Sequence, residues 1–449
     1  MDEMHYIEEV NELLNKKDRK AISAWLFDHH PNDIATVIDE LEMQKAAVLF
    51  RALPKAKAVD VFSYLETEAQ ISLLQGFTDE EVTRMLEDLY TDDAVDLIEE
   101  LPANVVTRVL ELATPQTRAT INNYLKYPED SAGSIMTTEY IHLRADMTVG
   151  EAIAYIRTYG HNKETIYTAY ITTPHRRLKG VLSVRNLLMA KNEEFIADIM
   201  EETIISASTT DDQEHVVHLF SDYDLIALPV VDGEDRLVGI ITIDDVLDVS
   251  EEEATEDFER MAAITPSEGP YMKTSVLEQV KNRFPWLLFL MISGILNGFI
   301  LARYEHAYLA IPLLVTFVPM LTGTGGNAGA QSSTMVIRGL SLEEIQFSDW
   351  LQVLWRELRI SLIVGVVLAS VNFVRVYFTY GRNLGISLVV SLSLIGVVIL
   401  AKVMGSMLPL LAKKIHVDPA TMAAPLITTV VDAGGLILFF TISEILLQI

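Results

Sequence analysis

The chain has 449 residues, a formal net charge of -29 and no cysteine. The charge is divided unevenly: residues 1–283 hold 25 basic and 55 acidic side chains, a net -30, whereas residues 284–449 hold 9 and 8, a net +1. Such a surplus excludes nucleic acid as a partner of the first part and favours cations as its ligands, while the missing thiols exclude disulfides, thiolate-bound zinc, iron–sulfur clusters and a cysteine nucleophile.

The opening MDEMHYIEEV is acidic and has no basic stretch ahead of an apolar core, so neither a cleavable signal nor an amino-terminal anchor is expected, and the first part is expected to stay in the cytosol. Residues 1–130 read as an acidic helical-repeat domain. PNDIATVIDEL, PKAKAVDVFSYL, TDEEVTRMLEDL and TDDAVDLIEEL each begin with turn or capping residues and then set apolar residues at helical spacing, which predicts a superhelix of short helices. On spacing alone its acidic residues, including Asp60, Asp92 and Asp96, read as a solvated face.

Residues 131–250 hold an internal repeat whose Ile-Met starts, at Ile135 and Ile199, lie 64 positions apart. Strand-like runs such as IYTAYIT and ALPVV alternate with amphipathic helices, predicting a mixed α/β pair with copies over 131–196 and 197–250. This segment resembles a tandem CBS pair, a regulatory module that often binds adenosine nucleotides or metal in its cleft. The resemblance implies that a Gly, a Ser/Thr and an Asp hold the ribose. The second copy supplies Gly239, Thr242 and Asp245 and the first Gly180, Ser183 and Asn186, so the first lacks the carboxylate, which counts against ATP or a related nucleotide. An acidic stretch, DVSEEEATEDFERMAAI, follows within residues 251–283 and leads through Pro266, Gly269 and Pro270 toward the apolar part. Its helical spacing and position make it the natural transmitter between the two parts.

From residue 284 the chain turns apolar, and a helix needs about 20 such residues to cross a bilayer. Five spans are expected, over residues 284–302, 307–337, 360–380, 384–412 and 419–447, the second being too long for one plain helix. With the amino terminus inside, five spans leave the carboxyl terminus outside. Arg338, Arg356, Arg359, Lys413 and Lys414 then lie on inner loops, against Arg303, Arg375 and Arg382 outside, the bias expected of cytoplasmic loops. Asp432 lies near mid-length of the last run, MAAPLITTVVDAGGLILFF, where an ionised carboxylate needs a polar path, a partner or a cation. GTGGNAGAQSS, residues 323–333, is read as an interruption of the second span, because glycine and the nearby Pro312 and Pro319 free backbone carbonyls. With Gly325 and Gly326, the side-chain oxygens of Asn327 and Gln331 and, on the last span, Thr428, it offers an oxygen-lined surface suited to a hard, hydrated cation. A small-residue packing seam is the competing reading.

Taken together, the acidic helical domain, the CBS pair, the acidic connecting helix and five spans with GTGGNAGAQ and PLITTVVDAGG closely resemble the MgtE family of magnesium channels. The resemblance implies a homodimeric, magnesium-selective channel of the cell membrane with its pore between two membrane halves and cytosolic parts that sense Mg2+. It assigns Asp432 to the pore. It assigns Asp60, Asp92, Asp96, Asp224, Asp245 and Asp248 to the cytosolic sensor, Glu253, Glu256 and Asp257 to the connecting (plug) helix, and Asp418 to the cytosolic mouth.

Three other readings compete. An intramembrane zinc protease needs a His-Glu-x-x-His segment, and none occurs; an aspartyl protease needs two facing aspartates, and Asp432 alone lies well inside a span. A membrane-anchored CBS regulator without transport has no use for a polar, glycine-rich span. Transport of Mn2+ or Co2+ in place of Mg2+ uses the same oxygen ligands.

Overall fold

Thr78 and Thr148 show how the helices of the first part begin. Each accepts a hydrogen bond from the backbone N–H three residues on, at Glu81 and Glu151, whose carboxylates return to the threonine N–H, closing two capping boxes. Elsewhere Asp18 and Thr114 cap their helices in the same sense, and Pro31 and Pro115 occupy first-turn positions that need no N–H partner. The computed structural model describes residues 3–267, 271–272, 274–422 and 424–448; Gly269 and Pro270 of the connecting segment lie outside them. It divides into two units, residues 1–250 and 251–449.

In the first unit, α1 (Glu3–Lys16), α2 (Arg19–Asp28), α3 (Pro31–Asp39), α4 (Met43–Phe50), α5 (Lys55–Ser63), α6 (Thr67–Gly76), α7 (Asp79–Asp88), α8 (Thr91–Glu100), α9 (Ala103–Leu112) and α10 (Pro115–Tyr124) stack as the repeat pattern predicts. Leu26, Ile34, Leu49, Phe62, Leu73 and Leu86 form their continuous core. Two three-stranded sheets follow. The first runs β1 (Ile141–Leu143), β2 (Thr168–Thr172), β3 (Leu178–Ser183), with α11 (Val149–Tyr159) between its first two strands; α12 (Val184–Met189) and α13 (Ile196–Ile199) lead on. The second runs β4 (Ala207–Ser208), β5 (Ala227–Val231), β6 (Leu237–Thr242), with α14 (Gln213–Tyr223) in the corresponding place. In both, the first pair is parallel and the second antiparallel, with an irregularity at the same point, Ile171/Thr172 and Val230/Val231.

The two copies interlock. Thr137, just after the first Ile-Met, pairs with Ile240 of β6, and Glu201, just after the second, pairs with Val181 of β3. The helical domain joins this pair through Val95 and Tyr124, which share a core with Met136, Ala207 and Phe220. From β6 the chain enters α15 (Ile243–Met261), which runs out of the first unit into the second.

The second unit is helical: α16 (Val276–Arg303), α17 (Glu305–Ala310), a 3-10 turn (Pro312–Phe317), α18 (Val318–Ser341), α19 (Trp350–Thr379), α20 (Leu384–Lys414), a 3-10 turn (Pro419–Met422) and α21 (Ala424–Leu447). Among the described residues four helical stretches are long and apolar enough to cross a membrane, Val276–Arg303, Phe347–Thr379, Leu384–Lys414 and Pro419–Leu447. The second expected span differs from its sequence reading. Its break falls at Ile311 and Pro312, and GTGGNAGAQSS does not interrupt it but lies inside the continuous helix α18. The physical reason is packing. A Cβ on Gly325 would meet Val397 and Val431, one on Gly326 would meet Thr428, and one on Gly405 of α20 would stand 2.3 Å from the Gly329 carbonyl oxygen. These glycines serve close helix approach, the competing reading of the motif, and Pro319 sits in the first turn of α18, where no carbonyl loses its partner.

Candidate functional site

α18 has two unlike sides. Gly325, Gly326, Gly329, Ser332 and Ser333 are buried against neighbouring helices, while Asn327, Gln331 and Thr334 form an exposed polar stripe at i, i+4 and i+7. Of the motif residues expected to line a path, Asn327 and Gln331 are therefore open and Gly325 and Gly326 are packed inside the bundle. α21 lies against the glycine side, with Thr428 over Gly326 and Val431 over Gly325. The next residue, Asp432, is half-buried, and its Oδ1 is shielded from solvent without a hydrogen-bond partner. A polar stripe and an unpartnered carboxylate oxygen in a bundle of membrane-spanning length call for an aqueous path or a polar occupant, since lipid satisfies neither.

At the start of this unit the acidic end of α15 meets the helix ends. Arg260 donates to Glu256 and to Asp418, and Ser341 donates to Asp257 over 3.1 Å. Asp418 also accepts the Ala420 N–H at 2.8 Å, capping the turn that leads into α21. Burial pushes the Asp257 carboxyl up and nearby Asp418 adds to it, while the Ser341 hydrogen bond works the other way. Glu253, Glu256 and Asp257 are all half-buried. Sequence reasoning named these carboxylates but not Arg260 or Ser341. It also missed two buried ionisable residues of the bundle, Glu357 and Lys402, although a lysine inside the run 384–412 was the available signal.

The first unit gathers a second acidic cluster. Asp92 on α8 is 7 % exposed, and its Oδ1 has no partner. Burial, then the charges of Asp245, Asp93, Glu164 and Asp96, push its carboxyl well up. Burial likewise lifts Asp93 and Asp245 to about 6 and Glu164 to about 8, each raised further by its acidic neighbours. Asp93 accepts from Ser63 at 3.1 Å, and Glu139 accepts from Thr91 at 3.0 Å and Thr137 at 2.8 Å, tying the helical domain to the CBS pair. Asp60, Asp244, Asp248 and Asp93 act together on the Tyr64 hydroxyl, which burial and their charges push up. Asp60, Asp96 and Asp248 are exposed; Asp224 is exposed at the left-handed cap of α14. Asp93, Glu139, Glu164 and Asp244 were not legible as members, because the fold and not the spacing brings them together.

Among the described residues no group of three or more His, Cys, Asp or Glu side chains stands in metal-ligating geometry. In the second CBS copy the Thr242 hydroxyl donates to Asp245 over 2.5 Å; in the first, Ser183 accepts the Asn186 N–H at 3.2 Å.

The membrane half, residues 318–442, matches the family model MgtE, described as a divalent cation transporter. Residues 29–130 match the MgtE intracellular N domain, and 132–193 and 196–252 match CBS domains. The chain is 38% identical to the magnesium transporter MgtE of Thermus thermophilus, with 98% of each chain covered. It is 33% identical to that of Bacillus subtilis, covering 93% of this chain and 95% of the relative. A solved cytosolic domain of the Mg2+ channel MgtE in complex with ATP matches at 40% identity and a TM-score of 0.51, covering 54% of this chain and 99% of that one. The soluble part of a magnesium transporter matches at 30% identity and a TM-score of 0.53, covering 56% and 100%.

Proposed function

The chain belongs to the MgtE family of magnesium transporters, and on that premise we propose that it is a homodimeric Mg2+ channel of the cell membrane, closed by the ion it admits. The carrying observation is the unpartnered Asp432 carboxylate oxygen on the helix packed against α18, whose opposite side bears the Asn327 and Gln331 stripe. α18 is the remaining span. Its 24 residues rise about 36 Å, enough for the roughly 30 Å hydrocarbon core, and its polar face is accommodated where two copies meet. Five spans with the amino-terminal domains in the cytosol put the carboxyl terminus outside. Asn327 and Gln331 offer oxygens to a hydrated ion, and α21 adds the Thr428 hydroxyl and the Asp432 charge, which concentrates cations on the path; Gly325 and Gly326 set the spacing between the two helices.

Gating follows from the acidic surfaces. At low cytosolic Mg2+, Asp60, Asp92, Asp96, Asp224, Asp245 and Asp248 repel one another; as Mg2+ rises, bridging ions favour a compact arrangement by mass action. α15, with Glu253, Glu256 and Asp257, carries that change to Asp418 at the mouth and closes it. Such feedback serves magnesium homeostasis. Chemistry on a substrate has no part in this reading. A nucleotide is a second candidate ligand: a related cytosolic domain was crystallised with ATP, and Thr242 and Asp245 offer the second-copy ribose contacts, although Asn186 stands where a first-copy carboxylate is needed.

Proteoliposomes loaded with a magnesium-sensitive dye test the reading, with Mn2+ and Co2+ run in parallel. Uptake of Mg2+ ahead of both supports it. Preference for Mn2+ or Co2+ moves the substrate to another divalent ion, and absence of any uptake leaves a membrane-anchored CBS regulator.

A further inference from the structure

Glu357 on α19 and Lys402 on α20 are 9 % and 5 % exposed, whereas the stripe residues Asn327 and Gln331 of α18 are open. Both meet one hydroxyl: Lys402 Nζ donates to Ser332 Oγ over 3.1 Å, and Ser332 Oγ donates to Glu357 Oε2 over 2.6 Å. The result is a charge-neutral bridge through three helices. Lys402 lies twelve residues before the end of α20, about 18 Å along the axis, a depth at which an unpaired charge is strongly disfavoured. The bridge closes one turn beyond Gly329, whose carbonyl oxygen lies 2.3 Å from where a Cβ on Gly405 would stand, so the α18 and α20 backbones meet beside it. Ser332 follows Gln331 directly and points inward while Gln331 is exposed. Holding Ser332 therefore holds the rotation of α18 about its axis, and with it the direction of Asn327 and Gln331.

Resting on the transport reading above, we propose that Glu357 and Lys402 are positioning residues for ion passage: paired through Ser332, they fix the rotation of α18 that turns its Asn327 and Gln331 stripe toward the ion path, and neither contacts the ion. The bridge couples three helices as a unit, so breaking it from either end moves the stripe in the same way, and removing both charges together relieves the imbalance that a single change leaves behind.

The test is Mg2+ flux into proteoliposomes as a function of Mg2+ concentration for wild type, Glu357→Gln, Lys402→Met, the double variant and Ser332→Ala. Each single charge variant is expected to lose about tenfold in maximal flux with its half-saturating concentration unchanged, and the double variant to recover to within about threefold of wild type. Ser332→Ala keeps both charges and covers the case in which a charge variant fails to fold; it is expected to lose about threefold. Single variants equal to wild type, a double variant no better than the worse single, or Ser332→Ala at full flux would each overturn the proposal while transport itself stands. A wild type without flux overturns the transport reading and this one with it.

Discussion

Arg260, in the last turn of α15, donates to the carboxylate of Asp418, 158 positions further along the chain, and to Glu256 one turn back. A resident cation thus sits among the acidic groups assigned to the plug helix and the mouth, and it docks α15 on the bundle by charge-assisted hydrogen bonds. Replacing it by glutamine leaves Glu256, Asp257 and Asp418 without that counter-charge. Both partners are partly exposed, so the loss is about 1 kcal/mol, a roughly fivefold rise in the Mg2+ needed for closure. Patch recording at graded cytosolic Mg2+ measures it, and an unchanged midpoint contradicts the docking role.

Neutralising Asp248 together with Asp257 is expected to raise the closing Mg2+ concentration as well, while leaving conductance through the open pore intact. The two lie nine residues apart on α15, Asp248 among the charges that act on Tyr64 and Asp257 accepting from Ser341. The same recordings decide it: a closing midpoint equal to wild type removes them from the sensor.

The cytosolic cluster sets a pH dependence whose sign is fixed by its raised carboxyls. Glu164 at about 8 and Asp93 and Asp245 at about 6 hold protons that the unfolded chain, with ordinary carboxyl pKa values near about 4, has already released. The folded state therefore binds more protons across that window. Its stability is highest below the ordinary carboxylate range and declines as pH climbs through about 6 to 8. In magnesium-free buffer the thermal midpoint of the protein is expected to fall between pH 6 and pH 8.5. Added Mg2+ is expected to restore it with release of protons, seen by calorimetry in two buffers of different ionisation enthalpy. A midpoint that rises with pH contradicts this.

Gly405→Ala introduces a methyl group where the Gly329 carbonyl oxygen stands 2.3 Å away, and that oxygen belongs to backbone that has no rotamer to adjust. The α18–α20 approach must open, at a cost of about 1–3 kcal/mol. Thermal unfolding of the detergent-solubilised protein should show the loss, and an unchanged midpoint would mean that the helices part without penalty.

What could be read from the chain follows the range over which each signal acts. The capping boxes at Thr78–Glu81 and Thr148–Glu151 involve neighbours three residues apart, and the Ile-Met repeat announces two equivalent copies, so the helical domain and the CBS pair were legible. Asp432 was legible because a carboxylate in an apolar run stands out. The continuity of α18 was not: its glycines resemble breaks until Gly405, Val397 and Thr428 are brought against them. Nor could spacing reveal that Glu357, Ser332 and Lys402 share a hydrogen-bond network, or that Glu164 joins Asp92, since both depend on how helices are rotated and which strands pair.

On the transport reading, Mg2+ crosses the membrane past Asp432. Uptake into dye-loaded liposomes by wild type and Asp432→Ala, with insertion and elution profile matched, measures this passage. Flux by wild type and a loss of about a hundredfold or more in the variant, with closure by cytosolic-side Mg2+ intact in what remains, is the expected result. Equal flux from the two proteins would take Asp432 off the ion path.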